Sequence, residues 1–399
     1  MAESVHKING NDDNNNNDND NNNSSSNSRS SSSSSKNSDN ENNDHEHNQK
    51  YPIQSGIPPW HTLSCVVLMA AITIPNLPTI ESLDDYATVE TFTHCKFPNY
   101  LSLWSMGILR LVIGGIVFSL TTYLVCISEG WDLYANYLQH TKLQRVVIKI
   151  TGVRALCAFT SFSWILLGIG FVSRGLICVA FYLVEQQQLQ DGSNNDDDDD
   201  DVTKNIIIGI FQQYILHPHT WFLRLTFITW ELAAPFAMLT SVISKYVLWP
   251  QAIKGGKPHN LAGIRNQLQH NWNSIFVLTE TALLGGIPVC VNHISLATGF
   301  GVCYMLFTWI TGKYYFGSPT VGPQYLYFFM DTTLGNVTTY AMVGLLFAMT
   351  MLYLLFSVAI QILDNNGNNG NNNGDNADSL LINLVFLLIG TRLVCKFRG

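Results

Sequence analysis

Charge is scarce in this chain: only 13% of its 399 residues are Asp, Glu, Lys or Arg. The 21 Lys and Arg are too sparse to build a nucleic-acid surface. A P-loop, a dinucleotide-binding glycine fingerprint and a serine nucleophile elbow are all lacking, so none of those enzyme classes is indicated. The eight cysteines (Cys65, Cys95, Cys126, Cys157, Cys178, Cys290, Cys303, Cys395) form no CxxC pair, so neither a disulfide framework nor a zinc site is expected. The first fifty residues hold no apolar core, which argues against a secretory signal peptide.

What is abundant falls into two kinds. Residues 8–50 are almost wholly Asn, Ser and Asp, a composition that buries too little apolar surface to offset chain entropy. We read 1–57 as a disordered tail and 58–399 as a membrane domain with disordered inserts at 187–203 and 364–378. The acidic run Asp196–Asp201 is read as a solvated loop.

The second kind is long apolar runs. Leu101–Ile127, Val153–Val184, Trp221 to about Leu248 and Tyr325–Leu363 each reach the ~20 residues a span needs. Residues 270–331 hold two more runs, Ile275–Val289 and Ile294–Ile310, split only by Asn292 and His293 and read as paired spans with a tight turn. The runs at 61–76 and 380–394 are doubtful. The expected fold is all-α: a polytopic membrane bundle of six core spans, eight if both doubtful runs cross. The basic loops at 129–152 and 249–269 then share one side, which the positive-inside rule makes cytoplasmic, while the acidic segments at 78–100 and 185–220 face away.

Ionisable side chains inside such runs are costly and therefore informative. Arg110, Arg174, Glu231 and Glu280 are the deepest, and the two signs balance, so mutual pairing is expected: Arg110 with Glu280 or Glu231, with Arg174 competing. A structural clamp is the simpler role, although an arginine there can also grip a fatty-acid carboxylate. On the run after His270, that histidine, Ser274 and Thr281 share one helical face, flanked by Asn273 and Glu280. Thr160 lies about seven residues into the second run, ~10 Å deep, near the same membrane face. A threonine next to a histidine base can attack an ester carbonyl. The plainer reading is a threonine bonded within its own helix and a histidine capping another. His217-Pro218-His219 has a metal-like spacing but no third ligand, and Asn336-Val337-Thr338 is a glycosylation acceptor that we expect to stay unmodified.

Four stretches occur in an order that resembles one superfamily: RALCAFTSFSW at Arg154–Trp164, WELAAPFAM at Trp230–Met238, HNWNSIFVLTE from His270, and PQYLYFFMD at Pro323–Asp331. Together they resemble the androgen-induced gene and rolling stone families of multi-pass membrane proteins, over about residues 100–360. The androgen-induced branch implies hydrolysis of fatty acid esters of hydroxy fatty acids, with Thr160 as nucleophile and His270 as its partner. Arg110, Glu231, Asn273 and Glu280 would then line the substrate cavity. The start HxxNS resembles rolling stone instead, which implies a non-enzymatic role in cell adhesion or fusion. Either reading places the chain among membrane lipids, in the endoplasmic reticulum or plasma membrane, with a lipid ester as partner in the first case. Neither calls for a cofactor or metal.

Overall fold

Pro75 and Pro78 break the first apolar run, because proline supplies no backbone N–H to continue a helix. In the computed structural model, which describes residues 60–134, 147–191, 202–254, 263–317, 323–369 and 376–396, helix α1 (Trp60–Thr73) ends just before them. The chain bends by 67° and re-enters as the short α2 (Ile80–Asp84) and α3 (Val89–Thr93). Thr79 and Thr88 cap the two starts by accepting from the amides of Ser82 and Thr91. The acidic segment at 78–100 thus holds two short helices. The tail, 1–57, lies outside the described residues.

α4 (Leu103–Cys126) and α5 (Phe159–Asp191) follow, joined by β1 (Trp131–Tyr134) and β2 (Val147–Ile150). The strands pair antiparallel with Trp131 opposite Ile150, a hairpin that periodicity alone did not announce. Gly107 and Gly175 let the two helices touch backbone to backbone: a Cβ on Gly175 would sit 3.0 Å from the Gly107 carbonyl. α6 (Val202–Ile210) runs into a wide turn at Phe211–Ile215 and stays too short to span.

α7 (Trp221–Lys254) is the axis of the bundle. Its apolar window is 78% buried, against 28% for α4 and 33% for Asn336–Asp364. Those outer helices expose Val112, Ile116, Val343, Phe347 and Leu355. Such surfaces suit lipid rather than water.

Residues 264–284 form α8, a helix with two wide turns, at Leu268–Trp272 and Glu280–Leu284. A stretch without helix then leads to His293 and α9 (Ile294–Tyr314). The paired-span reading of Ile275–Val289 is thereby revised. The first helix begins earlier, ends at Leu284, and is not among the helices apolar enough to cross alone, since its polar stripe is packed inward. α10 (Asn336–Asn369) and α11 (Asn376–Val394) complete the chain. Helix extends to Asp191 and Asn369 and resumes at Val202 and Asn376, so the edges of both expected inserts are ordered. Hydrogen bonding propagates past the last apolar residue once a helix is nucleated. Among the described residues, five helices are long and apolar enough to span a membrane, six if the bent α1–α3 segment counts as one. The all-helical multi-pass architecture stands.

Candidate functional site

Two polar centres are built into the apolar interior, each around one glutamate. The first is the ion cluster of α4, α5 and α8. Arg110 grips Glu280 with both ends of its guanidinium: Nε donates to Oε2 at 3.2 Å and Nη2 to Oε1 at 2.5 Å. Its Nη1 donates to the Phe92 carbonyl at 2.7 Å and to Cys178 Sγ at 2.9 Å. Arg174 Nη1 stands 3.2 Å from the same Glu280 oxygen, within ion-pair distance but outside hydrogen-bond geometry. Arg174 instead donates Nε to its own helix at Gly170, and its cation lies 4.1 Å from the Trp230 ring centre. All three charged side chains are fully buried. The chain can pass Arg110 so closely because residue 285 is glycine: a Cβ there would sit 2.5 Å from Arg110 Nη2.

The second centre joins α2, α7 and the start of α9. Glu231 is fully buried one turn before Pro235, a residue with no N–H to offer the Glu231 carbonyl. Its Oε1 accepts from the Cys290 amide at 2.8 Å and lies 3.2 Å from the Tyr353 hydroxyl. Its Oε2 lies 2.8 Å from His293 Nδ1. On the other side of that ring, Nε2 is 2.7 Å from Ser82 Oγ. A carboxylate accepts only, so the tautomer consistent with both contacts carries its proton on Nδ1 and leaves Nε2 to receive the serine proton. Tyr86 and Phe227 meet the imidazole edge-on, with ring centres 5.9 and 6.1 Å away, and fix its plane. The result is a hydroxyl, a histidine and a carboxylate in a hydrogen-bonded row, with a partly exposed serine at its outer end.

Ser82 is held by the sequence around it. Asp84, on the same short helix, receives Nε and Nη2 of Arg224 at 2.7 and 2.8 Å and His219 Nδ1 at 3.0 Å. His219 therefore serves as a strut and takes the left-handed φ of +63°, while His217 turns to the Pro218 carbonyl. Glu231, Cys290 and His293 also offer three metal-type ligand atoms within 4.8 Å of one another. The donor set fits a borderline metal such as zinc. Yet both oxygens of Glu231 already have protein donors, both nitrogens of His293 are bonded, and the Cys290 thiol meets the Tyr86 hydroxyl. The cluster is complete without an ion.

The residues singled out by resemblance lie elsewhere. Thr160 is half-buried in the first turn of α5, where the Phe159 amide donates to the Tyr327 hydroxyl at 3.1 Å. His270 is buried in α8; its imidazole bonds the Thr240 carbonyl, its Nδ1 has no partner among the described residues, and its own carbonyl accepts from Ser241. Asn273 ties α8 to α5 by donating to Ser163 Oγ at 3.1 Å, and it also reaches Thr240 Oγ1 at 3.4 Å. That bridge spans a sequence separation of 110. Thr160 and His270 have the same separation, one helical turn earlier on each helix. Arg110 and Glu280 belong to the ion cluster and Glu231 to the serine row, so the six candidates fall into three places. Sequence reasoning passed over Ser82 and His293. The available signal was the polar pair Asn292-His293, read as a turn, next to a buried Glu231 in need of a partner.

The apolar spans and the inward polar centres define an integral, multi-pass membrane protein. No known protein family, curated protein or solved structure matches the chain. The likeness to the androgen-induced and rolling stone families therefore rests on the short motifs alone.

Proposed function

We propose that the protein is a membrane-integral hydrolase of lipid esters, with Ser82 as nucleophile, His293 as general base and Glu231 as the group that orients the imidazole. The observation that carries this reading is the continuous row from Ser82 Oγ through His293 to Glu231 Oε2, with links of 2.7 and 2.8 Å. A serine hydroxyl attacks only when a base within reach takes its proton, and the base works best when a third group fixes its tautomer. Ser82 Oγ would bond to the ester carbonyl carbon while its proton passes to His293 Nε2. Collapse of the tetrahedral species breaks the ester bond, and the departing alcohol takes that proton. Water, activated by the same nitrogen, then releases the fatty acid and restores the serine. Glu231 holds the imidazole through Nδ1 and favours the transient imidazolium.

A second reading keeps the ester chemistry but uses Thr160 and His270. It is favoured by the Ser163–Asn273 bridge, which joins their two helices one turn away. The substrate class expected from the resemblance, fatty acid esters of hydroxy fatty acids, fits either site. Full-length protein purified in detergent is assayed on such an ester beside the variants Ser82→Ala, His293→Gln, Thr160→Ala and His270→Ala. Loss of turnover in the first two alone, with labelling of Ser82 by a fluorophosphonate, supports the serine site. Loss in the last two alone moves the chemistry to Thr160. An inert wild type removes the hydrolase reading and leaves the adhesion or fusion role.

A further inference from the structure

At the end of α7 opposite the serine row, an open groove of about 390 Å³ is lined by Lys245, Tyr246, Trp249, Pro250, Ile253, Lys254 and Lys396. That volume lies within the range of small-ligand sites. Three of the seven side chains are cationic, and no acidic residue lines the groove.

The groove is built, because its walls are fixed by specific hydrogen bonds. Lys245 Nζ donates to the carbonyls of Arg392 and Leu393 at 2.5 and 2.9 Å, at the C-terminal end of α11. Tyr246 adds a bond to Leu393 at 2.8 Å. A cation there satisfies the carbonyls that a helix end leaves open. Lys396 is held by its backbone: its amide donates to Asn271 Oδ1 at 3.0 Å, and its carbonyl accepts from Asn271 Nδ2 at 2.6 Å. With α7 and α11 locked together, Lys254 and Lys396 line the same opening.

A third donor points to a ligand. Trp249 is 4% exposed, yet its indole Nε1–H has no partner among the described residues. A buried donor without an acceptor is costly, and an incoming oxygen would relieve it. Around the basic centre the rim is apolar and open: Tyr246 and Ile253 are 56 and 52% exposed. A free anion in water has no use for that rim. A phospholipid does, since its acyl chains lie against the apolar side while its phosphate meets the lysines.

We propose that this groove is a binding site for the headgroup of an anionic phospholipid in the cytoplasmic leaflet, with Lys254, Lys396 and the Trp249 N–H as its phosphate ligands. The leaflet follows from the basic loops, which put this end of α7 on the cytoplasmic side. Basic pockets between transmembrane helices on that side take such headgroups, with each lysine worth roughly 1 kcal/mol.

The test uses the full chain in neutral detergent and three soluble probes: dioctanoyl phosphatidylinositol bisphosphate, dioctanoyl phosphatidylcholine and inorganic phosphate. Binding is read by native mass spectrometry and by titration. The anionic lipid should bind, weaken with added salt, and lose roughly thirtyfold in affinity in the double variant Lys254→Glu/Lys396→Glu. Trp249→Phe keeps the ring and removes the N–H, so a smaller loss there identifies the indole as a ligand. Lys149→Glu, on the exposed β2 strand, should change nothing. Equal binding of phosphatidylcholine, or unchanged affinity in the double variant, overturns the proposal. Binding of inorganic phosphate as tight as that of the anionic lipid also overturns it, in favour of a free-anion site.

Discussion

His293 Nδ1 and Glu231 Oε2 stand 2.8 Å apart although 62 residues separate them, and both side chains are shut away from solvent. A buried carboxylate is retained only when donors surround it, and here the Cys290 amide, the Tyr353 hydroxyl and the imidazole do so. This arrangement leaves the far nitrogen of His293 directed at Ser82.

Replacing Glu231 by Gln keeps its volume but puts an amide where the imidazole N–H now finds a carboxylate. Ester turnover should fall by about 10²–10⁴, in kcat more than in KM, because general-base assistance of that size would be lost. The measurement is hydrolysis by purified protein at matched folded fraction. A Glu231→Gln variant with wild-type kcat would remove the histidine row from the mechanism.

Zinc should have no effect on that turnover. Both Glu231 oxygens, both His293 ring nitrogens and the Cys290 thiol, through Tyr86, already have protein partners, and a metal on His293 Nδ1 would displace the proton bonded to Glu231. Turnover and thermal unfolding should therefore be the same after dialysis against a strong chelator and after adding zinc. Loss on chelation that zinc restores would show a metal centre instead.

The sequence made part of this legible. Length and apolarity marked the spans, and the cost of burying charge marked Arg110, Arg174, Glu231 and Glu280. It left the pairing open between Glu280 and Glu231: Arg110 takes Glu280 with Arg174 competing for it, as expected, while Glu231 takes a histidine that looked like a turn residue. Local periodicity reports that a side chain is buried, but Ser82 and His293 are 211 residues apart and nothing local links them. The segment 78–100 showed only as polar and acidic, with no helix legible in it. Several of its polar residues are capping groups or clamp partners, such as Thr79, Thr88 and Asp84. The resemblance pointed to Thr160 and His270, whose pairing depends on side-chain placement at the helix ends.

Asp84→Asn should separate positioning from stability. The carboxylate anchors α2 to α7 through Arg224, two residues after Ser82 on the same helix. The thermal midpoint should barely change, since the pair is near the surface, where ion pairs contribute little. Turnover should fall several-fold as Ser82 loses its fixed place, and Arg224→Lys should behave similarly because the bidentate fork is lost. A large drop in midpoint with turnover per folded molecule unchanged would make the clamp purely structural.

The ion cluster makes the sharpest stability prediction. Glu280→Gln leaves Arg110 and Arg174 facing each other in the apolar interior without a counter-charge, so unfolding free energy should drop by roughly 3–5 kcal/mol. Arg110→Met should cost a similar amount, because Glu280 keeps only the weaker contact with Arg174. The double variant Arg110→Met/Glu280→Leu still leaves Arg174 without its carboxylate, so it stays destabilised, but its loss should be smaller than the sum of the two single losses, a coupling read directly in a double-mutant cycle. Unfolding in mild detergent supplies the three free energies. Simple additivity of the two single losses would mean that Arg110 and Glu280 do not depend on each other, and that the short contact between them contributes nothing to holding α4 against α8.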